Sequence, residues 1–130
     1  MGVRGPGAKP IKRRPLDAAV AASGPLPWQR KGLSRVGRVI AFLEYLPITA
    51  GVHAGRPFKV RPWQRKFLAA VYRTEAGSRP VVTAVLSLAR KNGKSDLASR
   101  LALCHLSGPE SEERGEVYSA ANDRFQASRI

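Results

Sequence analysis

The order of apolar and polar positions predicts two helices in the first half of the chain. Apolar side chains recur every three or four residues from Val36 to Leu46, which is the spacing of one helix face, and Pro47 ends that helix. A second helix begins at Pro62, a residue that suits the first turn, and ends near Thr74. Its apolar positions again fall on one side.

The second half of the chain has a different pattern. Residues 81–88 are apolar almost throughout and rich in β-branched side chains, which is typical of a strand buried on both faces of a parallel sheet. A helix over 95–106 follows, then a short strand over 116–121, and Asn122-Asp123 can cap a helix that begins near Arg124. This order predicts an α/β fold, an incomplete parallel sheet (strand–loop–helix–strand) preceded by helices.

Residues 1–34 contrast with this pattern, because they contain many Gly and Pro residues and few large apolar ones. They predict a basic, flexible leader. Residues 35–130 would then form the N-terminal part of the α/β domain. No segment is long and apolar enough to span a membrane, and no signal peptide is visible. We therefore expect a soluble protein of the cytoplasm with no membrane partner.

The amino-acid composition indicates which classes of partner the chain favours. The net charge is +14, from 23 Lys and Arg against 9 Asp and Glu, and a charge of this sign favours polyanions such as nucleic acid and nucleotides. Cys104 is the single cysteine, so the chain can form no internal disulfide, and its apolar surroundings predict a buried core residue.

The link between residues 81–88 and the next helix has the chemistry of a phosphate-binding loop. Gly93 lets backbone N–H groups approach phosphates, Lys94 would reach the terminal phosphates, and the Ser95 hydroxyl would join a Mg²⁺ shell. The helix that follows directs unpaired N–H groups toward the same anion. The sequence departs from the standard pattern G-x-x-x-x-G-K-[ST], since Leu88 stands where the first glycine is expected.

This loop, Ala89–Ser95, resembles the deviant Walker A loop of phage large terminase subunits, the DNA-packaging motors. In that family the first glycine is commonly absent and an arginine follows a small residue at the loop start, as Arg90 does here. Three further segments are similar in the same order along the chain. They are Gly5–Pro10, Phe42–Thr49 with Arg61–Gln64, and Tyr118–Arg124.

The resemblance implies roles by position. Arg90 and Lys94 would be the catalytic residues at the γ-phosphate, Ser95 would hold Mg²⁺, and Gln64 would read the adenine edge of ATP. Trp63 beside it is either a base contact or a core anchor. The predicted nucleotide-binding set is Trp63, Gln64, Arg90, Lys91, Asn92, Gly93, Lys94 and Ser95. The partners implied for the complete protein are duplex DNA, a portal protein and a small terminase subunit.

The second half of an ATPase site is missing from the sequence. Hydrolysis needs an Asp that holds Mg²⁺ and a Glu that activates water at the end of another strand. Asp123 comes nearest to this position, but Arg124 rather than Glu follows it. The metal-binding carboxylates of the family's nuclease domain are absent as well. We therefore expect residues 35–130 to be the N-terminal part of a P-loop ATPase domain, cut off before Walker B. The chain would be a fragment or truncated product that carries the Walker A half and no sustained hydrolysis.

Two other interpretations remain open at this point. The chain could belong to another P-loop NTPase, such as a helicase or nucleotide kinase. It could also be a small basic nucleic-acid-binding protein without catalysis, using Arg4–Arg14 and Arg61–Arg73 as contacts.

Overall fold

The computed structural model describes residues 24–49 and 51–120. Within them lie three α-helices, α1 (Arg35–Tyr45), α2 (Pro62–Val71) and α3 (Lys94–Ser107), and a 3₁₀ turn at Pro27–Gln29. The three predicted helices are confirmed, since most ends agree to within one residue and only the end of α2 comes three residues earlier. The leader segment Gly5–Pro10 and the predicted Asn122-Asp123 cap lie outside the described residues.

Each helix end has a local cause. Ser34 caps α1, because its Oγ accepts a hydrogen bond of 3.1 Å from the Gly37 N–H. The helix stops at Leu46, directly before a proline. At the end of α3, Gly108 packs so closely that an added Cβ would lie 2.9 Å from the Phe42 ring and 2.8 Å from the Cys104 carbonyl oxygen. Only glycine fits there.

Helix α1 lies at the centre of the core. Both α2 and α3 pack on α1, and Tyr72 at the end of α2 contacts His105 of α3. Leu43, Leu68 and Leu97 are fully buried, one from each helix. Burial of a leucine of this kind contributes about 1.5–3 kcal/mol. The other buried apolar side chains of the described residues are Val39, Ile40, Phe42, Phe58, Val60, Tyr72 and Cys104.

A polar cluster joins the start of α1 to the end of α3. The Arg35 guanidinium binds the Glu110 carboxylate, with 2.6 Å between Nη2 and Oε2, and the Glu110 side chain is only 1% exposed. The Tyr72 hydroxyl lies 2.8 Å from His105 Nε2. Burial raises the pKa of Tyr72 well above its usual value and raises the pKa of Cys104 to about 12. Cys104 is therefore a neutral core thiol, as its apolar surroundings predicted.

The two predicted strands are not formed in the described residues. Residues 81–88 carry no strand or β-bridge, and Val82 and Val85 are 95% and 86% exposed instead of buried on both faces. Residues 116–120 carry no strand either, and Tyr118 is 86% exposed. The physical reason is that a strand needs a neighbour for its backbone N–H and C=O groups, and the described chain offers none. The predicted parallel sheet is thus not confirmed.

The end of the predicted leader contains a short helical turn. Residues 24–34 are described, and the 3₁₀ turn among them packs on α1 through Trp28, whose ring lies 4.8 Å from that of Phe42. Residues 27–29 therefore pack against the body of the protein. Among the described residues, no helix combines the length and the apolar character needed to cross a membrane.

Candidate functional site

The predicted phosphate loop connects residues 81–88 to α3. Gly93 is the residue before the first turn of α3 and has a left-handed backbone with φ of 75°. Lys91 is left-handed as well, with φ of 65°. Such a conformation is strained by roughly 1–3 kcal/mol in a residue with a side chain, and Ala76 and Arg114 adopt it as well. The loop is thus bent back on itself just before the helix.

The Lys94 ammonium holds the two ends of this loop together. Its Nζ donates hydrogen bonds of 2.7 Å to the Leu88 carbonyl and 2.8 Å to the Ala89 carbonyl. The Asn92 side chain reaches the same Ala89 carbonyl at 3.4 Å. An ammonium has three N–H donors. Two of them shape the loop, and one remains for an anion.

The amino end of α3 completes the anion-binding geometry. No side chain caps it, so among the described residues no side-chain oxygen competes for the N–H groups of its first turn. Arg90, Lys91 and Ser95 are exposed, and Asn92 is half-buried. No described carboxylate forms an ion pair with Arg90, Lys91 or Lys94. Positive charge and free N–H groups therefore surround the loop.

Asp96 is the carboxylate nearest to the loop along the chain, and it is already paired. Its Oδ2 accepts a hydrogen bond of 3.1 Å from Arg100 Nε, one turn further along α3. Among the described residues, no group of three His, Cys, Asp or Glu side chains could hold a metal ion. The loop supplies an ammonium, backbone N–H groups and the Ser95 hydroxyl, and none of its residues from Ala89 to Ser95 is a carboxylate.

Arg100 is a residue of this site that the sequence reasoning did not single out. It is 4% exposed, and its guanidinium donates to the Leu46 carbonyl at 2.8 Å and the Pro47 carbonyl at 3.1 Å. It thereby fixes α3, and the loop before it, to the end of α1. A signal was present, since Arg100 lies on the apolar stripe of α3 with Leu97.

The predicted adenine-contacting residues lie in the first turn of α2, where both already have contacts within the protein. Gln64 is 2% exposed, and its Oε1 accepts a hydrogen bond of 2.8 Å from the Arg61 N–H, so it caps the start of its own helix. Trp63 is partly buried and packs against the core. The contact of Trp63 and Gln64 with a base stays a prediction.

Comparison with known proteins identifies the relative of this chain. Over 97 residues, the sequence is 40% identical to the large terminase subunit of Enterobacteria phage HK97. The chain is homologous to a phage large terminase subunit. The aligned part covers 74% of this chain and 19% of the HK97 protein. The family resemblance drawn from the loop and its flanking segments is therefore confirmed.

The solved structures agree with the sequence. The crystal structure of the HK97 bacteriophage large terminase matches with a TM-score of 0.64 and 41% identity, over 75% of this chain and 19% of that one. The described residues therefore share the fold of the corresponding part of the HK97 large terminase. The chain spans about a fifth of the length of this relative. No protein-family model matches.

Proposed function

We propose that this chain supplies the phosphate-binding part of the ATP site in a phage DNA-packaging motor. The observation that carries the proposal is the Lys94 ammonium, which binds the Leu88 and Ala89 carbonyls at the amino end of α3. This contact shapes a ring of backbone around a positive charge and beside free N–H groups. Phosphate oxygens are the ligands that such an arrangement favours.

Each residue of the loop has a role in this proposal. The third N–H of Lys94 donates to the terminal phosphates, and Arg90 adds positive charge at the γ-phosphate. The Ser95 hydroxyl ligates Mg²⁺. Lys91, Asn92 and Gly93 supply the backbone that surrounds the phosphates, and Gly93 leaves space, since nothing lies within 4 Å of where its Cβ would be. Bound Mg²⁺ would neutralise phosphate charge.

The other end of the nucleotide is assigned to the start of α2. We propose that Gln64 reads the adenine edge, because an amide both donates and accepts hydrogen bonds. Its Oε1 is engaged by the Arg61 N–H, so its amide nitrogen is the group left for a base. Trp63 beside it serves chiefly as a core anchor.

Binding and hydrolysis are separate properties in this proposal. Hydrolysis requires carboxylates that hold Mg²⁺ and activate water, and Asp96 is occupied by Arg100. We infer that the chain binds ATP with Mg²⁺ and that turnover depends on residues outside the described ranges. A strand at 81–88 would likewise require neighbouring strands formed by residues outside the described ranges.

The complete motor has further partners in this proposal. Its translocated substrate is duplex DNA, and a portal protein and a small terminase subunit assemble with it in the host cytoplasm. The homology to the HK97 large terminase supports this assignment over a helicase or a nucleotide kinase. The net charge of +14 is compatible with the simpler alternative of a basic nucleic-acid-binding protein.

Fluorescent ATP binding tests the proposal directly. We expect Lys94→Ala to weaken ATP affinity at least tenfold, while Lys66→Ala, which removes an exposed lysine from α2, leaves it unchanged. Circular dichroism checks that both variants keep their helices. Equal ATP binding by the wild type and Lys94→Ala would reject the phosphate-loop assignment. Salt-sensitive DNA binding without ATP binding would favour the basic nucleic-acid-binding protein.

A further inference from the structure

A basic cleft lies away from the phosphate loop. It has a volume of about 540 Å³ and lies between the segment 28–33, the exposed side of α1 and the Gly108-Pro109 corner after α3. Its charged lining residues are Arg30, Lys31 and Arg38, and all three are exposed. No carboxylate lines it. None of the three cations forms an ion pair with a described residue.

The acid closest to the cleft along the chain does not offset this charge. Glu110 follows the Gly108-Pro109 corner, but its side chain is 1% exposed and is bound by Arg35. Both of its carboxylate oxygens accept from this guanidinium, at 3.0 and 3.1 Å from Nε. The cleft therefore presents to solvent three cations that form no ion pair with a described residue, and Glu44 lines the adjoining cleft on the Arg30 side.

The elements that carry these cations are held in place. Trp28 packs edge-to-face on Phe42 at 4.8 Å and on Tyr45 at 5.2 Å, which anchors the segment of Arg30 and Lys31 on α1. Arg38 lies on α1 itself. A charged surface on fixed elements loses little conformational freedom when it binds.

We propose that this cleft contacts the phosphate backbone of duplex DNA. Arginine and lysine side chains at the rim of a groove match the geometry and charge of phosphodiesters, and this contact needs no base recognition. The proposal adds a second anion-binding surface, made of residues outside the ATP site. The choice of duplex DNA as the ligand of the cleft rests on the proposed function, and the position of the cleft does not.

Fluorescence anisotropy with a labelled duplex oligonucleotide tests this assignment. The variant Arg30→Gln/Lys31→Gln/Arg38→Gln removes the three cleft charges. The matched control, Arg56→Gln/Lys59→Gln/Arg114→Gln, removes three exposed charges outside every segment assigned to a binding site. We expect the cleft variant to bind DNA at least tenfold more weakly. The slope of log K against log salt should fall by about 0.9 for each phosphate that the variant no longer neutralises. The control keeps most of the affinity and slope.

Several outcomes would overturn the proposal. Unchanged DNA affinity in the cleft variant would show that the cleft does not contact DNA, and equal reductions in both variants would show that only overall charge matters. Tighter binding of polyglutamate than of DNA of equal charge would assign the cleft to an acidic protein. The single variant Arg38→Gln repeats the test if the triple variant loses helix content.

A parallel measurement of ATP binding separates this proposal from the previous one. The cleft variant should bind ATP like the wild type, and Lys94→Ala should bind DNA like the wild type. Weaker DNA binding by the cleft variant, with no effect of Lys94→Ala on ATP, supports the cleft and rejects the ATP site. Unchanged DNA binding by the cleft variant, with weaker ATP binding by Lys94→Ala, rejects the cleft and supports the ATP site.

Discussion

The guanidinium of Arg100 lies 4.0 Å from the centre of the Phe58 ring. This contact joins the helix of the phosphate loop to the chain segment that precedes α2. The same guanidinium reaches the Leu43 carbonyl at 3.4 Å. That carbonyl has no partner inside its helix, because the residue four positions later is Pro47, which has no N–H. One buried side chain thus completes the end of α1 and orients α3.

We expect Arg100→Met to lower the free energy of unfolding by about 2–4 kcal/mol, since it leaves buried carbonyl groups unsatisfied. Arg100→Lys should recover only part of this stability, because an ammonium lacks the planar fork of donors. Urea denaturation followed by circular dichroism gives the values. Arg38→Met is the control, because Arg38 is an exposed arginine on α1. A similar decrease in the control would mean that charge, and not the hydrogen bonds to the carbonyls, sets the stability.

Gly93→Ala should lower the free energy of unfolding by about 1–2 kcal/mol, because alanine is strained in the left-handed region that φ of 75° requires. The effect is conformational, since no atom lies within 4 Å of the added Cβ. Gly93→Asn should be less destabilising, because asparagine tolerates this conformation. Thermal unfolding of the three proteins measures the order. Equal effects of Ala and Asn would indicate crowding instead.

Glu110→Gln should destabilise the fold by about 3–5 kcal/mol, because it leaves the Arg35 charge without its partner in a buried place. Nη1 of Arg35 is already buried with no hydrogen-bond partner among the described residues. The control is Glu112→Gln, which breaks an exposed pair with Arg79 and should change stability by less than about 1 kcal/mol. Comparable effects of both substitutions in chemical denaturation would contradict the buried role.

Stability should fall in alkaline solution. Burial raises the pKa of Cys104 from 9.0 to about 12 in the folded protein. Between these pH values the folded thiol keeps its proton and the unfolded thiol loses it, so rising pH favours unfolding. Tyr72 acts in the same direction at higher pH.

Thermal unfolding between pH 8 and 11 measures this effect. Cys104→Ala removes one of the two titrating groups, so the melting temperature of this variant should fall less steeply with pH than that of the wild type. Its lower starting stability does not affect the comparison of slopes. Parallel curves would show that Cys104 does not contribute.

The helices could be predicted from the sequence because their signals are local. Apolar spacing and the prolines at 47 and 62 define α1 and α2, and Gly108 ends α3. The strand expected over 81–88 was not confirmed, because an apolar run cannot show whether a neighbouring strand is present. The exposure of Val82 and Val85 follows from that absence.

The candidate site was predictable only in part. Gly93, Lys94 and Ser95 stand in a motif, so their place at the start of α3 could be inferred. The bonds of Arg100 to the end of α1 join residues more than 50 positions apart, and no local pattern reports them. Gln64 was predicted to contact the base, and its side chain also accepts a hydrogen bond from the Arg61 N–H at the start of α2.

The hydrogen bonds of Lys94 to the Leu88 and Ala89 carbonyls have a consequence for how fast and how tightly an anion binds. A loop closed by its own lysine is ordered before any ligand arrives. The conformational entropy of the loop is therefore lost during folding and not at association. Binding then depends mainly on desolvation and charge, and any chemistry that neutralises this one amine would open the loop and release that entropy.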